Sequence, residues 1–168
     1  MKKLLLALPI LLAPVWAGAD DVRRELAFVH THTGESVSVV YKAGDRFVPE
    51  GLASLNQFLR DHRSGDVTDM DPAVFDVLYE LREAVGGTEP FHLISGYRSP
   101  KTNEMLRAMG RNVAKRSQHM EGRAIDVRLP GVDLSKLHET ALAMQRGGVG
   151  YYPGSDFIHV DTGRVRSW

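Results

Sequence analysis

Apolar residues recur along this chain with two periods, and the changes of period mark out its elements. Leu26 to His30 and Val37 to Tyr41 are short β-type runs on either side of Thr33-Gly34-Glu35, which predicts a hairpin. From Gly51 to His62, Leu52, Leu55, Phe58 and Leu59 fall at helical spacing. Arg63 to Met70 is a polar loop. Asp71-Pro72 then starts a second helix, with an aspartate to cap it and a proline at its first position. Phe75, Leu78, Leu81 and Val85 continue its apolar face, and Gly86-Gly87 ends it.

Beyond this point the strand period dominates. Phe91 to Ser95 reads as a strand ending in Gly96-Tyr97-Arg98-Ser99-Pro100, followed by a short helix over Lys101 to Met109 and a polar, basic loop over Gly110 to Gln118. Arg123 to Leu129 alternates, with Ile125, Val127 and Leu129 on one face and Ala124, Asp126 and Arg128 on the other. Leu134 to Gln145 is a helix. Gly147 to Tyr152 and Phe157 to Asp161 are strands parted by a Pro153-Gly154 turn. Helices come mostly early and strands late, without regular βαβ alternation. That order predicts an α+β fold, an antiparallel sheet with helices packed around it.

The first residues belong to none of these elements. Lys2-Lys3, an apolar run from Leu4 to Val15 and the small residues Ala17-Gly18-Ala19 have the layout of a secretory signal peptide, residues 1–19. The run is shorter than the about 18–20 apolar residues a membrane span requires and is followed by Asp20-Asp21, so no stable membrane insertion is expected after cleavage. Residues 20–168 form a single domain's length. Without Lys2 and Lys3 the chain has 19 basic against 21 acidic residues and no basic block, which argues against a nucleic-acid partner. An exported chain without cysteine fits a bacterial periplasm, and any metal site in it must be built from histidine and carboxylate.

One stretch makes that last point specific. Ser117-Gln118-His119-Met120-Glu121-Gly122-Arg123-Ala124-Ile125-Asp126 and, thirty residues on, Asp156-Phe157-Ile158-His159 hold two histidines and two carboxylates. A catalytic zinc takes three protein ligands and leaves a position open. His119, Asp126 and His159 supply three ligands, and Asp156 supplies a base if the Gly154-Ser155-Asp156 segment is still turning. Singly, each residue also reads as a loop cap, an ion-pair partner or a hydrogen-bonded core histidine; together they point to a metal. Asp161, on the face of His159, is either a support for that imidazole or an alternative base. Arg98 suits a substrate carboxylate or a developing oxyanion, and Ser117 is a neighbour able to hydrogen-bond near the ion. His30 and His32 share a strand face without a carboxylate at useful spacing and are set aside, as are His92 and His138.

Ser95-Gly96-Tyr97-Arg98-Ser99, Ser117-x-His119-x-x-Gly122-x-Ala124-x-Asp126 and Asp156-x-x-His159-x-Asp161 resemble the signature of zinc D-Ala-D-Ala peptidases of the Hedgehog/DD-peptidase fold, and within them the murein endopeptidase K-like branch. The likeness covers essentially all of residues 20–168. It implies Zn2+ held at His119, Asp126 and His159, a base at Asp156, and substrate or transition-state contact from Arg98. It further implies a periplasmic enzyme acting on peptidoglycan stem peptides, either cutting cross-links as an endopeptidase or trimming terminal D-alanine as a carboxypeptidase. Carboxypeptidase relatives often carry Glu where this chain has Asp156. A non-catalytic peptidoglycan-binding module is the alternative from another class.

Overall fold

The computed structural model describes residues 22–111 and 113–168; the expected signal peptide lies outside them. Eight strands form one sheet in the order β3-β2-β1-β4-β5-β7-β6-β8. They are β1 (Arg23–His30), β2 (Ser36–Ala43), β3 (Arg46–Phe47), β4 (Phe91–Ser95), β5 (Ala124–Arg128), β6 (Gly148–Tyr152), β7 (Phe157–Asp161) and β8 (Arg166–Ser167). Four helices accompany them: α1 (Pro49–Phe58), α2 (Pro72–Val85), α3 (Pro100–Ala108) and α4 (Leu134–Met144). Among the described residues no helix is long and apolar enough to cross a membrane.

The expected hairpin forms around Gly34, which takes a left-handed φ of 75° while His30 N donates to Glu35 O at 2.8 Å. Helix α2 starts as its sequence dictates, with the Asp71 carboxylate accepting from Ala73 N, and ends at left-handed Gly86. Helix α1 begins two residues before the expected Gly51, because Pro49 presets its first turn, and stops at Phe58, short of His62.

The sheet is mixed, not purely antiparallel. Strand β1 runs parallel to β4, and β6 runs parallel to β8. Between β1 and β4 the chain passes through β2, β3, α1 and α2, and a return of that length permits a parallel neighbour that no tight turn can make. Strands β3 and β8 have two residues each, too short to show a period.

The two faces of the sheet have different tasks. Leu26, Phe28, Phe91, Leu93, Ile125, Val127, Ile158 and Val160 are buried in one core with Leu55, Val74, Leu78, Leu81 and Leu137 of the helices. Their burial, about 1.5–3 kcal/mol for each large side chain, fixes the register of β5 against β7. That register pairs Asp126 with His159, and His159 with Gly150 on the next strand. The alternation read for β5 thus sends Asp126 to the face opposite the core, with His159 beside it.

The segment before β5 is a single 3-10 turn, Gln118–Glu121, closed by Gly122 at φ 66°. A Cβ on Gly122 would lie 2.7 Å from Asp69 O, so this position needs glycine for space as well as for conformation. Gly122→Ala is expected to lower stability by about 1–2 kcal/mol, the cost of a left-handed alanine, before any steric displacement. Urea unfolding with the midpoint compared to wild type measures it.

Candidate metal centre

His119 is delivered by the 3-10 turn, Asp126 by β5 and His159 by β7, and all three are buried. His119 Nε2 lies 3.2 Å from Asp126 Oδ1 and 3.2 Å from His159 Nδ1, and His159 Nδ1 lies 2.8 Å from Asp126 Oδ1. Among the described residues this is the one group of three or more potential ligands with all donor atoms within 4.8 Å of each other.

The outer atoms of the two imidazoles assign their protons. His119 Nδ1 faces Gly96 O at 2.8 Å; a carbonyl only accepts, so Nδ1 carries the hydrogen and Nε2 presents a lone pair. His159 Nε2 faces Asp161 Oδ2 at 2.8 Å, so Nδ1 presents the lone pair there. Two bare nitrogens and a carboxylate oxygen therefore converge with no hydrogen between them. Ligand atoms about 2.0 Å from a tetrahedral ion stand about 3.3 Å apart, close to the three spacings here. The donor set, its spacing and its assigned tautomers fit a divalent cation of the zinc type.

Charge follows the same logic. Burial opposes ionisation of Asp126, yet the neighbouring His119 and His159 rings hold its carboxyl well below the ordinary carboxylate range. Burial likewise opposes a charged His159, but the Asp126 and Asp161 carboxylates on either side of its ring raise its affinity for a proton, as they would for a cation at Nδ1.

Asp161 is held fast behind His159. It also accepts from Arg166 at 2.6 and 3.0 Å, from Gly148 N at 3.1 Å and from Gly163 N at 2.8 Å. This geometry is that of a support for the imidazole, not of an alternative base. Gly148 and Gly147 leave it space, since a Cβ on Gly147 would lie 1.7 Å from Asp161 O. Ser117 caps the 3-10 turn, its hydroxyl accepting from His119 N at 3.3 Å, and points to no ligand role of its own.

A cavity of about 400 Å³ opens over the three ligands, lined among others by Arg98, Arg116, Gln118, Tyr152, Phe157, Arg166 and Trp168. Arg98 is buried in its wall. Nη1 donates to Asn103 Oδ1 at 3.3 Å, while Nε is buried without a hydrogen-bond partner among the described residues. Burial pushes its guanidinium pKa down and the Asp126 carboxylate opposes that push. Its backbone is clamped by Arg98 N donating to His119 O at 3.1 Å and by Ser99 N donating to Asp61 Oδ2 at 2.9 Å.

The structure does not bring Asp156 to the ligands. Asp156 follows the short Pro153–Ser155 turn with a left-handed φ of 53°, and its carboxylate accepts from Arg128 Nη1 at 3.1 Å, with the side chain 63% exposed. The segment is still turning, as anticipated, but the turn aims the carboxylate along the sheet toward Arg128, two residues beyond Asp126. His30 and His32, set aside from sequence, are joined by His62, whose ring stacks on His32 with centroids 4.5 Å apart. Burial and the nearby Arg63 charge hold His62 at about 4, and His30 meets the other two rings edge-on, so the trio is an aromatic cluster outside the group whose ligand atoms converge.

A mixed sheet with four helices, carrying a buried His-Asp-His set beneath an arginine-lined cavity, has a site able to hold a metal ion, as metal-dependent hydrolases do. Comparison with known proteins narrows the class. Residues 18–168 match the M15 peptidase family model described as "Peptidoglycan L,D-endopeptidase MepK". The chain is 46% identical over 160 residues to the protein of that name from Escherichia coli K12, covering 95% of this chain and 88% of the relative. It is 44% identical over 146 residues to the Haemophilus influenzae protein designated "Probable peptidoglycan L,D-endopeptidase MepK", covering 86% and 78% respectively. The chain belongs to this family of metal-dependent peptidases.

Gln118, Tyr152, Phe157, Arg166 and Trp168 line the cavity without having been singled out as functional from the sequence. Gln118 sits inside the recognised motif, where its buried Oε1 lacks a partner among the described residues. Trp168 belongs to no periodic segment, and no local signal points to it.

Two measurements follow from the support of the site. Asp161→Ala is expected to weaken metal affinity about 10–100-fold, measured by competition with a chromophoric chelator. Asp61 is opposed by burial, but hydrogen bonds from Thr102, Ser99 and Arg63 lower its pKa to about 2, below the unfolded value of about 3.9. Its contribution is therefore complete above pH 4 and vanishes as pH falls through about 2. Asp61→Asn should be less stable than wild type at pH 6 by about 1–2 kcal/mol. The gap should close at low pH in denaturant titrations of both proteins.

Proposed function

We propose that this chain is an exported zinc endopeptidase, of the DD-peptidase type of fold, that hydrolyses peptide cross-links of peptidoglycan in the periplasm. The observation that carries the reading is the convergence of His119, Asp126 and His159 beneath a cavity in a chain so similar to named peptidoglycan L,D-endopeptidases. The names of those relatives favour cross-links joining an L- to a D-centre as the substrate. Residues 1–19 are assigned to export and residues 20–168 to the working domain.

His119, Asp126 and His159 would hold the zinc, which when bound supplies Lewis-acid polarisation of a peptide carbonyl and renders water nucleophilic near neutral pH. Gly96 O and Asp161 keep the two imidazoles turned toward that point. Arg98, with an uncommitted Nε–H in the cavity wall, donates to the substrate: to the oxygen of the scissile carbonyl as negative charge grows there, or to a stem-peptide carboxylate.

Asp156 is assigned the proton transfer from water to the departing nitrogen. It immediately precedes the cavity-lining Phe157 but itself faces a separate pocket with His92 and Arg128, and its tie to Arg128 is a solvent-exposed ion pair of the kind worth at most about 1 kcal/mol. Catalytic contacts of this type commonly tighten only with substrate present. Release from Arg128 is then the movement the reaction requires.

The test is digestion of purified sacculi with analysis of the soluble muropeptides. L,D-cross-linked dimers should fall and monomers rise, chelator should abolish the change, and added zinc should restore it. Loss of a single alanine with dimers untouched would identify a carboxypeptidase; sacculus binding with no new products would identify a binding module. Asp156→Ala should lower turnover by about 10²-fold or more with metal content unchanged, and Arg98→Ala by about 10²–10³-fold. Wild-type turnover by the metal-loaded Asp156→Ala protein would remove the base assignment.

A further inference from the structure

The cavity has two unlike sides. Toward β4 its wall is polar and basic, made by Arg98, Gln118 and the loop residues Arg116 and Ser117. Toward β6 it is mainly aromatic, made by Tyr152, Phe157 and Trp168, with Arg166 beside the indole. The row of paired residues Ser95, Asp126, His159 and Gly150 runs between them, so the ligands form the floor.

The aromatic side is a built feature. Strand β8 pairs parallel with β6, and the Trp168 backbone continues the pairing: Trp168 N donates to Val149 O at 3.3 Å and Tyr151 N donates to Trp168 O at 3.0 Å. The indole lies over Gly150, where a Cβ would come 2.8–2.9 Å from three of its atoms. Trp168 Nε1 donates to the Tyr152 hydroxyl at 2.7 Å, the Arg166 guanidinium stands 4.9 Å from the indole centroid, and Tyr152 stacks on Phe157 at 4.6 Å. The indole centroid is 5.1 Å from that of His159, a ligand of the site. Despite these fixings Trp168 remains 50% exposed and lines the cavity.

We propose that Trp168, seated on Gly150 and buttressed by Tyr152, is a specificity-determining residue: its indole is the wall against which the aliphatic portion of a stem-peptide residue next to the scissile bond lies. This rests on the peptidase reading above. A stem peptide carries short aliphatic side chains together with carboxylates; the cavity offers the Arg98 guanidinium on one side and, on the other, an aromatic wall whose indole is flanked by the Arg166 guanidinium. The opposed walls set the direction in which the peptide crosses the floor, with carboxylate or carbonyl toward Arg98 and aliphatic carbon toward Trp168. The Tyr152 hydroxyl, already accepting from the indole, keeps its own proton to donate to a backbone carbonyl of the bound peptide.

The sequence holds two tryptophans, Trp16 and Trp168, so in a protein of residues 20–168, whose sheet and core lie wholly within that span, Trp168 is the single tryptophan and its emission can be excited apart from that of the tyrosines. Titration of this metal-loaded protein with purified muropeptide monomers, the reaction product, should give a saturable change in its emission. Trp168→Ala should raise KM for cross-linked dimers at least about 10-fold with a smaller change in kcat and unchanged metal content. Trp168→Phe should recover part of the loss. Gly150→Ala, which evicts the indole while keeping it in the chain, should raise KM in the same way. Emission indifferent to muropeptide, with wild-type KM in Trp168→Ala and Gly150→Ala, would overturn the proposal while leaving cleavage by the wild-type enzyme intact. Failure of the peptidase reading itself would show instead as no cleavage of dimers by wild type.

Discussion

Two imidazole nitrogens and one carboxylate oxygen face each other at 2.8–3.2 Å in a buried pocket, with the ring protons turned outward to Gly96 O and Asp161. Left alone, such an arrangement is repulsive, because three electron-rich atoms share one small volume of low polarisability. It is stable around a cation. The rest of the molecule can be understood as what is needed to hold these atoms together against their own repulsion. The core face of the sheet locks the β5–β7 register, Gly122 closes the turn that carries His119, and Asp161 is fixed by four hydrogen bonds from Gly148, Gly163 and Arg166 so that it can fix His159.

The same economy governs the surroundings of the site. Side chains at 147, 148 and 150 would collide with Asp161, Arg166 or Trp168, and all three positions are glycine. Glycine near the beginning of β6 thus opens space on the ligand face without disturbing the core face, where Val149 remains buried. A polar wall built from Arg98 and an aromatic wall built from Trp168 then flank one floor. Family membership points to peptidoglycan as the polymer acted on.

Much of this was legible in the sequence because the signals were local. Asp71-Pro72 and Gly86 bounded α2, the alternation of Ile125, Val127 and Leu129 turned Asp126 away from the core, and the residue types of His119, Asp126 and His159 singled out the three side chains that the fold brings together. What was not legible depended on long-range geometry. The parallel pairing of β1 with β4 comes after a return of some sixty residues, and β3 and β8 are too short to have a period. The direction of the Asp156 carboxylate follows from one left-handed residue, and its partner Arg128 lies 28 positions away. Trp168 enters the cavity only because β8 crosses to the far side of β6.

The most direct test of the ion centre is X-ray absorption spectroscopy of the zinc-loaded protein. The structure requires a first shell of nitrogen and oxygen at about 2.0 Å, with outer-shell scattering from two imidazoles, one of which disappears in His119→Ala and one in His159→Ala. A shell with scattering from fewer or more than two imidazoles, or one unchanged by either substitution, would contradict it.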